Sequence, residues 1–393
     1  MNRFCKYLLA ALPVLIVCQV NATSFTDPID GKFDMGDYLA ENAYGFLPVP
    51  ILLTEPALGV GGGVAGVFLH ESEAEKQHRK QLAMESLDGG ASLITPAITI
   101  VGGGGTENGT WFGFGAHRHS FLQDRIRYIG LLAYGNAELE IYNDLGGLLP
   151  PNRALSFDTT TQGLLEMQKL QFRVADTKLF LGIKQQYSQS TVSSSNPVID
   201  KLLSTLIGSE SAMSGLGINA EYDTRNNIFF PNKGFIVEAE YMAFRDSFGS
   251  DYNYDTATLS GEVYVPLNKK WTWAFAGDYQ YFNSDTTGLP PTLKPYVNLR
   301  GVAAYRYQGD NVIAAQTQLM YHIDNRWTVS GFYGVGRTSE DAFASQDKST
   351  DTIDAYGVGF RYSIARRYGL QMGVDIAFSG DDSAIYFQTG IGF

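Results

Sequence analysis

No cysteine follows Cys18 in this 393-residue chain. Beyond that point a disulfide framework, a thiol nucleophile and a cysteine metal site are all excluded. Both cysteines, Cys5 and Cys18, sit in a segment built like a secretory leader. Arg3 and Lys6 make a basic start, Leu8 to Val17 an apolar core, and Val20-Asn21-Ala22 a small-residue cleavage site. Residues 1–22 therefore read as a signal peptide. Lipoprotein processing at Cys18 fits less well, because Val17 is not the small residue it normally wants. A mature chain free of thiols suits the oxidising periplasm.

Long apolar runs are also missing: no later stretch approaches the ~20 residues a membrane helix needs. Charge is sparse at 18% and its balance is acidic, with a formal net charge of -12 that grows when Arg3 and Lys6 leave. That balance argues against a nucleic-acid partner. What is abundant is apolar and small: 44% hydrophobic residues, with 24 Phe, 23 Tyr and 43 Gly. Many aromatics and glycines without a helical span fit an outer-membrane barrel, with aromatic girdles at the interfaces and glycine where strands bend.

Alternation carries that reading. At the C-terminus Ile385, Phe387, Thr389, Ile391 and Phe393 share one strand face, and Tyr386, Gln388, Gly390 and Gly392 share the other. An apolar face ending in Phe, opposite a small and polar one, suits a strand between lipid and a wet lumen. Leu216-Ile218-Ala220-Tyr222, Trp271-Trp273-Phe275-Tyr279 and Leu370-Met372-Val374-Ile376-Phe378 repeat the pattern. Glu238, Glu240 and Glu262 fall on the opposite face. A charge on the lipid face costs ~2–4 kcal/mol near the midplane, so parity assigns these acids to the lumen.

The expected fold is all-β: a transmembrane antiparallel β-barrel over residues 45–393. Fifteen strands are clear, and Gly45 to Thr54 supplies a sixteenth, since single-chain barrels favour even numbers. Pro48 and Pro50 donate no ladder hydrogen bonds, which makes the seam between first and last strands the weakest join. Turns at Ala175-Asp176, Asn268-Lys269-Lys270, Asp324-Asn325-Arg326 and Ala365-Arg366-Arg367 fit the periplasmic side. Longer connections (143–158, 190–211, 284–309, 339–352) fit the outside, and 198–207 reads as a short helix. The charged stretch 71–91 is long for the periplasmic position its count gives it. Residues 23–44 precede the barrel; Phe33, Met35, Tyr38 and Leu39 suit a short amphipathic helix, plugging the lumen or lying at the interface, with a disordered tail as the alternative.

Three motifs go beyond the barrel pattern. The first runs from Glu221 to Gly234: a strand end, Asp223-x-Arg225, an Ile228-Phe229-Phe230 knot, then Pro231 and Gly234 opening the next strand. The second is Leu299-Arg300-Gly301, deep in the loop between strands eleven and twelve. The third is Gly357-x-Gly359-x-Arg361 followed by Asp375-x-Ala377, with Arg361 and Asp375 inward by parity. Together these resemble the BamA/TamA superfamily of outer-membrane barrels, the bacterial surface antigen family. Within 45–57, Gly45-Phe46-Leu47-Pro48-Val49-Pro50 and Thr54-Glu55-Pro56-Ala57 look like a branch without periplasmic POTRA domains.

The resemblance implies that the sixth extracellular loop folds back into the lumen, where Arg300 pairs with Asp375 and locks loop to wall. It also makes the C-terminal residues Ile385, Phe387, Ile391 and Phe393 an assembly signal read by the barrel assembly machinery. Where the family places an acid in a Phe-x-Asp-x-Gly pattern, Gly334 stands here, so a weaker or rearranged lock is expected. The implied function is translocation or insertion of protein or lipid at the outer membrane of a Gram-negative cell, among lipopolysaccharide and phospholipid. The weak first strand adds a lateral-opening route. A passive, cation-preferring channel is the alternative, given the acidic lumen. A lipid hydrolase is a second alternative, and His117 with Ser120 is its only nucleophile–base candidate. The chain is otherwise expected to be no enzyme, with no cofactor and no metal. Gly61 to Gly66 satisfies G-x-G-x-x-G but lies in a glycine-rich strand with no helix behind it. Gly102 to Gly105 reads as a flexible hairpin.

Overall fold

The computed structural model describes residues 25–27, 29–36, 38, 45–54, 57–70, 74, 77, 81, 97–143, 155–206, 210–286, 289–340, 350–366, 369–380 and 382–390. The expected leader, most of 71–91, and Ile391 and Phe393 of the expected assembly signal lie outside the described residues.

Sixteen strands follow one another along the chain. The first four are β1 (Gly45–Leu53), β2 (Gly61–His70), β3 (Ala97–Thr106) and β4 (Trp111–Phe121). Then come β5 (Ile126–Asn143), β6 (Leu155–Arg173), β7 (Leu179–Ser193) and β8 (Ser211–Asp223). The third group is β9 (Gly234–Phe244), β10 (Tyr254–Pro266), β11 (Trp271–Asn283) and β12 (Asn311–His322). The last is β13 (Trp327–Ser339), β14 (Thr352–Ala365), β15 (Leu370–Ser379) and β16 (Asp382–Thr389). Helix α1 (Pro197–Leu206) occupies the β7–β8 connection, as its sequence suggested.

Each strand pairs antiparallel with the next, in the order β1 to β16, to give a nearly closed barrel. The edge strands β1 and β16 approach within 8 Å at Cα, yet no ladder joins them among the described residues. The cylinder is uneven: β5 and β6 have 18 and 19 residues, whereas β1 and β16 at the seam have 9 and 8.

Burial follows the period-two pattern. On β11, Trp271, Trp273, Phe275 and Tyr279 are exposed and Thr272 and Ala274 are buried. On β8, Leu216 and Ile218 are exposed and Asn219 is buried. In the final strand Ile385 and Phe387 face out, while Tyr386 and Gln388 face inward groups. In water such an outer surface is an aggregation hazard; in a bilayer it is the lipid face.

One expectation fails. Gly102 to Gly105 are not a hairpin tip; they lie inside β3 and pair with Gly62–Ala65 on one side and Trp111–Phe114 on the other. Their glycine is used for close approach between backbones. A Cβ added at Gly63 would sit 2.2 Å from the carbonyl oxygen of Gly103. The tip itself is the turn after Thr106, where Gly109 takes a φ of +101°.

Candidate functional site

The long β11–β12 connection bends back against the wall instead of standing away from it. Val297, Leu299 and Val302 are buried and pack with Val312 and Ala314 of β12 and Ala355 of β14. This apolar seat positions Arg300. Its Nη1 donates to Asp375 Oδ2 at 2.7 Å, its Nη2 donates to Gln318 Oε1 at 2.8 Å, and its guanidinium lies 3.5 Å from the Phe332 ring centroid. Gly301, at φ +93°, donates its N–H to the Tyr386 hydroxyl at 2.9 Å. A Cβ there would meet Ala377 at 3.1 Å, so glycine lets the turn close onto β15.

Asp375 has a second cation. Arg361 donates to both its carboxylate oxygens, at 2.6 and 2.9 Å, a bidentate fork around a fully buried acid. Arg361 also holds the last strand, donating Nε to the Gly390 carbonyl at 2.8 Å and Nη2 to Gln388 at 3.1 Å. Arg300, Asp375 and Arg361 thus link the β11–β12 loop to β14, β15 and the end of β16. Charges this deeply buried persist only when paired in this way.

The missing acid at Gly334 has a structural answer. A Cβ at position 334 would fall 2.9 Å from Leu299 Cδ2, and one at Gly336 would fall 2.2 Å from Val297 Cγ1. The glycines make room for the loop, and Gln318 on the neighbouring strand supplies the acceptor. The contact is rearranged, with an amide oxygen where the family pattern has a carboxylate.

The Asp223–Gly234 motif builds the β8–β9 turn. Asn227 Oδ1 accepts from the N–H groups of Phe229 and Phe230 at 2.8 and 2.9 Å, and Asn226 Oδ1 accepts from Asn232 and Lys233. Arg225 bridges Asp223 at 3.0 Å and Glu262 at 3.0 Å. Phe230 is buried among Tyr264, Ala274 and Met320, and Pro231 is buried beside it; Phe229 is half-buried. Gly234 opens β9 at φ +100°, where a Cβ would lie 2.4 Å from the Thr224 carbonyl oxygen. The turn reaches the far wall. A Cβ at Gly390 would meet the Phe229 carbonyl oxygen at 2.6 Å, and one at Gly369 would meet Asn227 Nδ2 at 2.6 Å. Gly390 therefore stands between Arg361 and the turn.

The three acids assigned inward by parity are not a bare negative surface. Lys184 Nζ lies 2.7 Å from Glu240, Arg225 binds Glu262, and Lys169 Nζ is 3.9 Å from Glu238. Arg127 donates to Glu221 at 2.9 Å and to Asp124 at 2.6 Å, and Arg173 donates to Asp124 at 2.5 Å. The parity that turned the glutamates inward turns these cations inward too, and they offset the expected acidic field. A cavity of about 290 Å³ separates Arg300, Tyr386 and Gln388 from Glu238, Glu262 and Asp278.

His117 and Ser120 do not meet. They lie on opposite faces of β4: Thr99 Oγ1 bridges the His117 and His70 rings at 2.9 and 2.8 Å, while Ser120 donates to Asp124 at 2.7 Å. A hydroxyl hydrogen-bonded to a carboxylate, with no imidazole beside it, lacks the base a serine nucleophile needs.

Sixteen antiparallel strands with an apolar outer face define a Gram-negative outer-membrane β-barrel. The chain belongs to the Omp85 superfamily, whose domain model matches residues 121–393. Solved structures share the fold. BamA from Haemophilus ducreyi lacking POTRA domains 1-3 is 13% identical, with 87% of this chain and 69% of that chain covered and a TM-score of 0.55. CdiB from Escherichia coli is 10% identical, with coverages of 88% and 62% and a TM-score of 0.55. CdiB from Acinetobacter baumannii is 10% identical, with coverages of 88% and 59% and a TM-score of 0.54. The chain thus spans about three fifths of the two CdiB chains. No curated protein matches it.

Proposed function

We propose that this barrel translocates or inserts protein or lipid at the outer membrane, and that its route is lateral, through the β1–β16 seam. The carrying observation is the seam itself: two edge strands that approach without pairing among the described residues, in a sheet where every other neighbour is laddered. Unpaired edges are templates for another strand. The two short strands there give the thinnest wall, so a lipid or a nascent strand meets least resistance at that point. Arg300, Asp375 and Arg361 act as the loop–wall lock beside the seam: they fix β14 to β16, so that movement falls on the β1 side.

The test uses paired cysteines, one in Gly45–Leu53 and one in Asp382–Thr389, in the otherwise thiol-free mature chain. Reconstituted in liposomes, the oxidised variant is expected to lose insertion of an unfolded client barrel and lipid movement between leaflets, and reductant is expected to restore both. Equal activity in the oxidised and reduced forms would sink the lateral route. A passive channel gives a different signature, steady conductance untouched by the crosslink. Arg300→Ala in planar bilayers separates the two: a lock predicts a largely closed wild type and an open variant.

A further inference from the structure

Before the barrel, the chain forms a tight hairpin. Thr26 and Phe33 make an antiparallel bridge, Asp27 N–H donates to the Lys32 carbonyl, and Asp34 N–H donates to the Phe25 carbonyl, both at 2.9 Å. That hairpin gathers three carboxylates around one guanidinium. Arg326, in the β12–β13 turn and 0% exposed, donates to Asp27 and Asp30 at 2.6 Å each, to Asp34, and to the Ser363 carbonyl at 3.0 Å. Arg366, after β14, donates Nε to Asp27 at 2.9 Å, and its backbone N–H reaches Asp34 at 3.0 Å. Lys32 pairs with Asp324 at 3.0 Å.

The hairpin also reaches the outer face of β14. Arg361 and Ser363 are buried, so Tyr362 between them points outward. The Tyr362 hydroxyl donates to the Phe33 carbonyl at 2.8 Å, and Tyr362 packs edge-on against Trp327 at 4.9 Å. Met35 N–H donates to the Ile364 carbonyl at 2.5 Å. Beside this rim the hairpin leaves large apolar side chains uncovered: Phe25 is 44%, Ile29 60% and Phe33 51% exposed. Phe25 stacks on Phe33 at 6.2 Å and on Tyr38 at 5.3 Å. A segment that commits Asp27, Asp30 and Asp34 to a clamp around Arg326, and whose aromatics continue an outward Trp–Tyr pair, has the form of an interfacial anchor.

The geometry points to residues 25–38 as a membrane-interface anchor: Phe25, Ile29 and Phe33 enter the headgroup region of the periplasmic leaflet, and the Arg326 carboxylate clamp fixes their position against the barrel rim. The surface recognises lipid, and this site is separate from the seam and from the Arg300 lock. Of the two placements the sequence left open, the lumen and the interface, the described contacts favour the interface, because they lie on the β12–β15 rim and on the outer face of β14.

The test uses the mature chain in phosphatidylethanolamine–phosphatidylglycerol vesicles, with single cysteines at Ile29→Cys, Phe33→Cys and, as a polar-turn control, Lys269→Cys. Each carries a polarity-sensitive fluorophore, and nitroxide lipids labelled near the headgroup serve as quencher. Quenching at 29 and 33 is expected to exceed that at 269 by about twofold or more. Arg326→Gln is expected to bring position 29 down to the control value; should that variant fail to fold, Asp30→Asn removes one clamp partner at lower cost and is expected to reduce quenching part of the way. Quenching at 29 and 33 equal to that at 269 would overturn the proposal. Blue-shifted emission without lipid quenching would overturn it too, since that marks a protein partner or a second copy as the cover. Quenching at 29 left unchanged by both clamp variants would overturn the role of Arg326.

Discussion

The two walls that meet at the seam are held by opposite means. On the β14–β16 side, a buried acid with two arginines ties loop, wall and final strand together. On the β1–β3 side there is no such network among the described residues; glycine faces glycine, as at Gly63 and Gly104, and two prolines interrupt β1. Glycine contributes no cross-strand side-chain pair, and proline no ladder donor. The barrel therefore joins a braced edge to a weakly held one, and on the proposed lateral route opening falls on β1 and its hairpin.

That contrast can be broken most directly at Asp375. Asp375→Ala leaves Arg300 and Arg361 without their shared acid and is expected to cost on the order of 3–5 kcal/mol. The reading is the temperature at which the compact band on an unheated gel converts to the unfolded one. Gly63→Ala is the matching change on the other wall and forces backbones apart for about 1–3 kcal/mol. If it cost as much as Asp375→Ala, the weakly held edge would be a misreading. Gln318→Leu removes one acceptor from Arg300 while keeping Asp375, for about 1–2 kcal/mol. The loop should then become cleavable by protease at lower temperature than in the wild type.

A smaller effect tests whether bracing extends beyond the seam. Arg225 joins Asp223 to Glu262, all three partly solvent-exposed, so Arg225→Ala is expected to cost about 1 kcal/mol or less in the same gel assay. The smallest effect is that of pH on the N-terminal clamp. Hydrogen bonds from Arg326 hold the Asp30 carboxyl at about 2, below its usual 3.8. Burial pushes Asp27 upward, but the Arg366 hydrogen bond and the neighbouring arginines more than offset this and leave it lowered. A lowered folded-state value means the clamp's contribution is complete above roughly pH 4 and is lost as pH falls through about 2. A fluorophore at Ile29→Cys should keep its emission from pH 8 to pH 5 and change only below that. A midpoint near neutrality would contradict the clamp geometry.

Much of the barrel was legible along the chain. Period-two alternation gave the lipid and inner faces and the inward position of Arg361, Asp375 and Glu238, because a charge on the lipid face is too costly to be placed there; fifteen strands were countable, and the sixteenth followed from the preference of closed barrels for even numbers. The helix in the β7–β8 connection was also legible, at 198–207. Partners were harder to read. Gln318, Phe332 and Tyr386 meet Arg300 or Gly301 only through strand register, and nothing in their local sequence marks them. Gly334 looked like a loss from a family pattern, whereas in space it is the clearance Leu299 requires. The cations Lys169, Lys184 and Arg127 were open to the same parity argument as the glutamates, and they change the character of the lumen.

The sequence by itself determined the absence of cysteines after Cys18, an all-β membrane barrel and, on the strands with clear alternation, which side chains face inward. These follow from local periodicity and from the cost of placing charge or unpaired backbone in lipid. Only the tertiary structure decided that β1 and β16 approach without pairing among the described residues, that one carboxylate serves two arginines, and that Asp27, Asp30 and Asp34 close around an arginine nearly three hundred residues away. Those contacts depend on closing long stretches of chain, and sequence separation carries no record of which distant groups will meet.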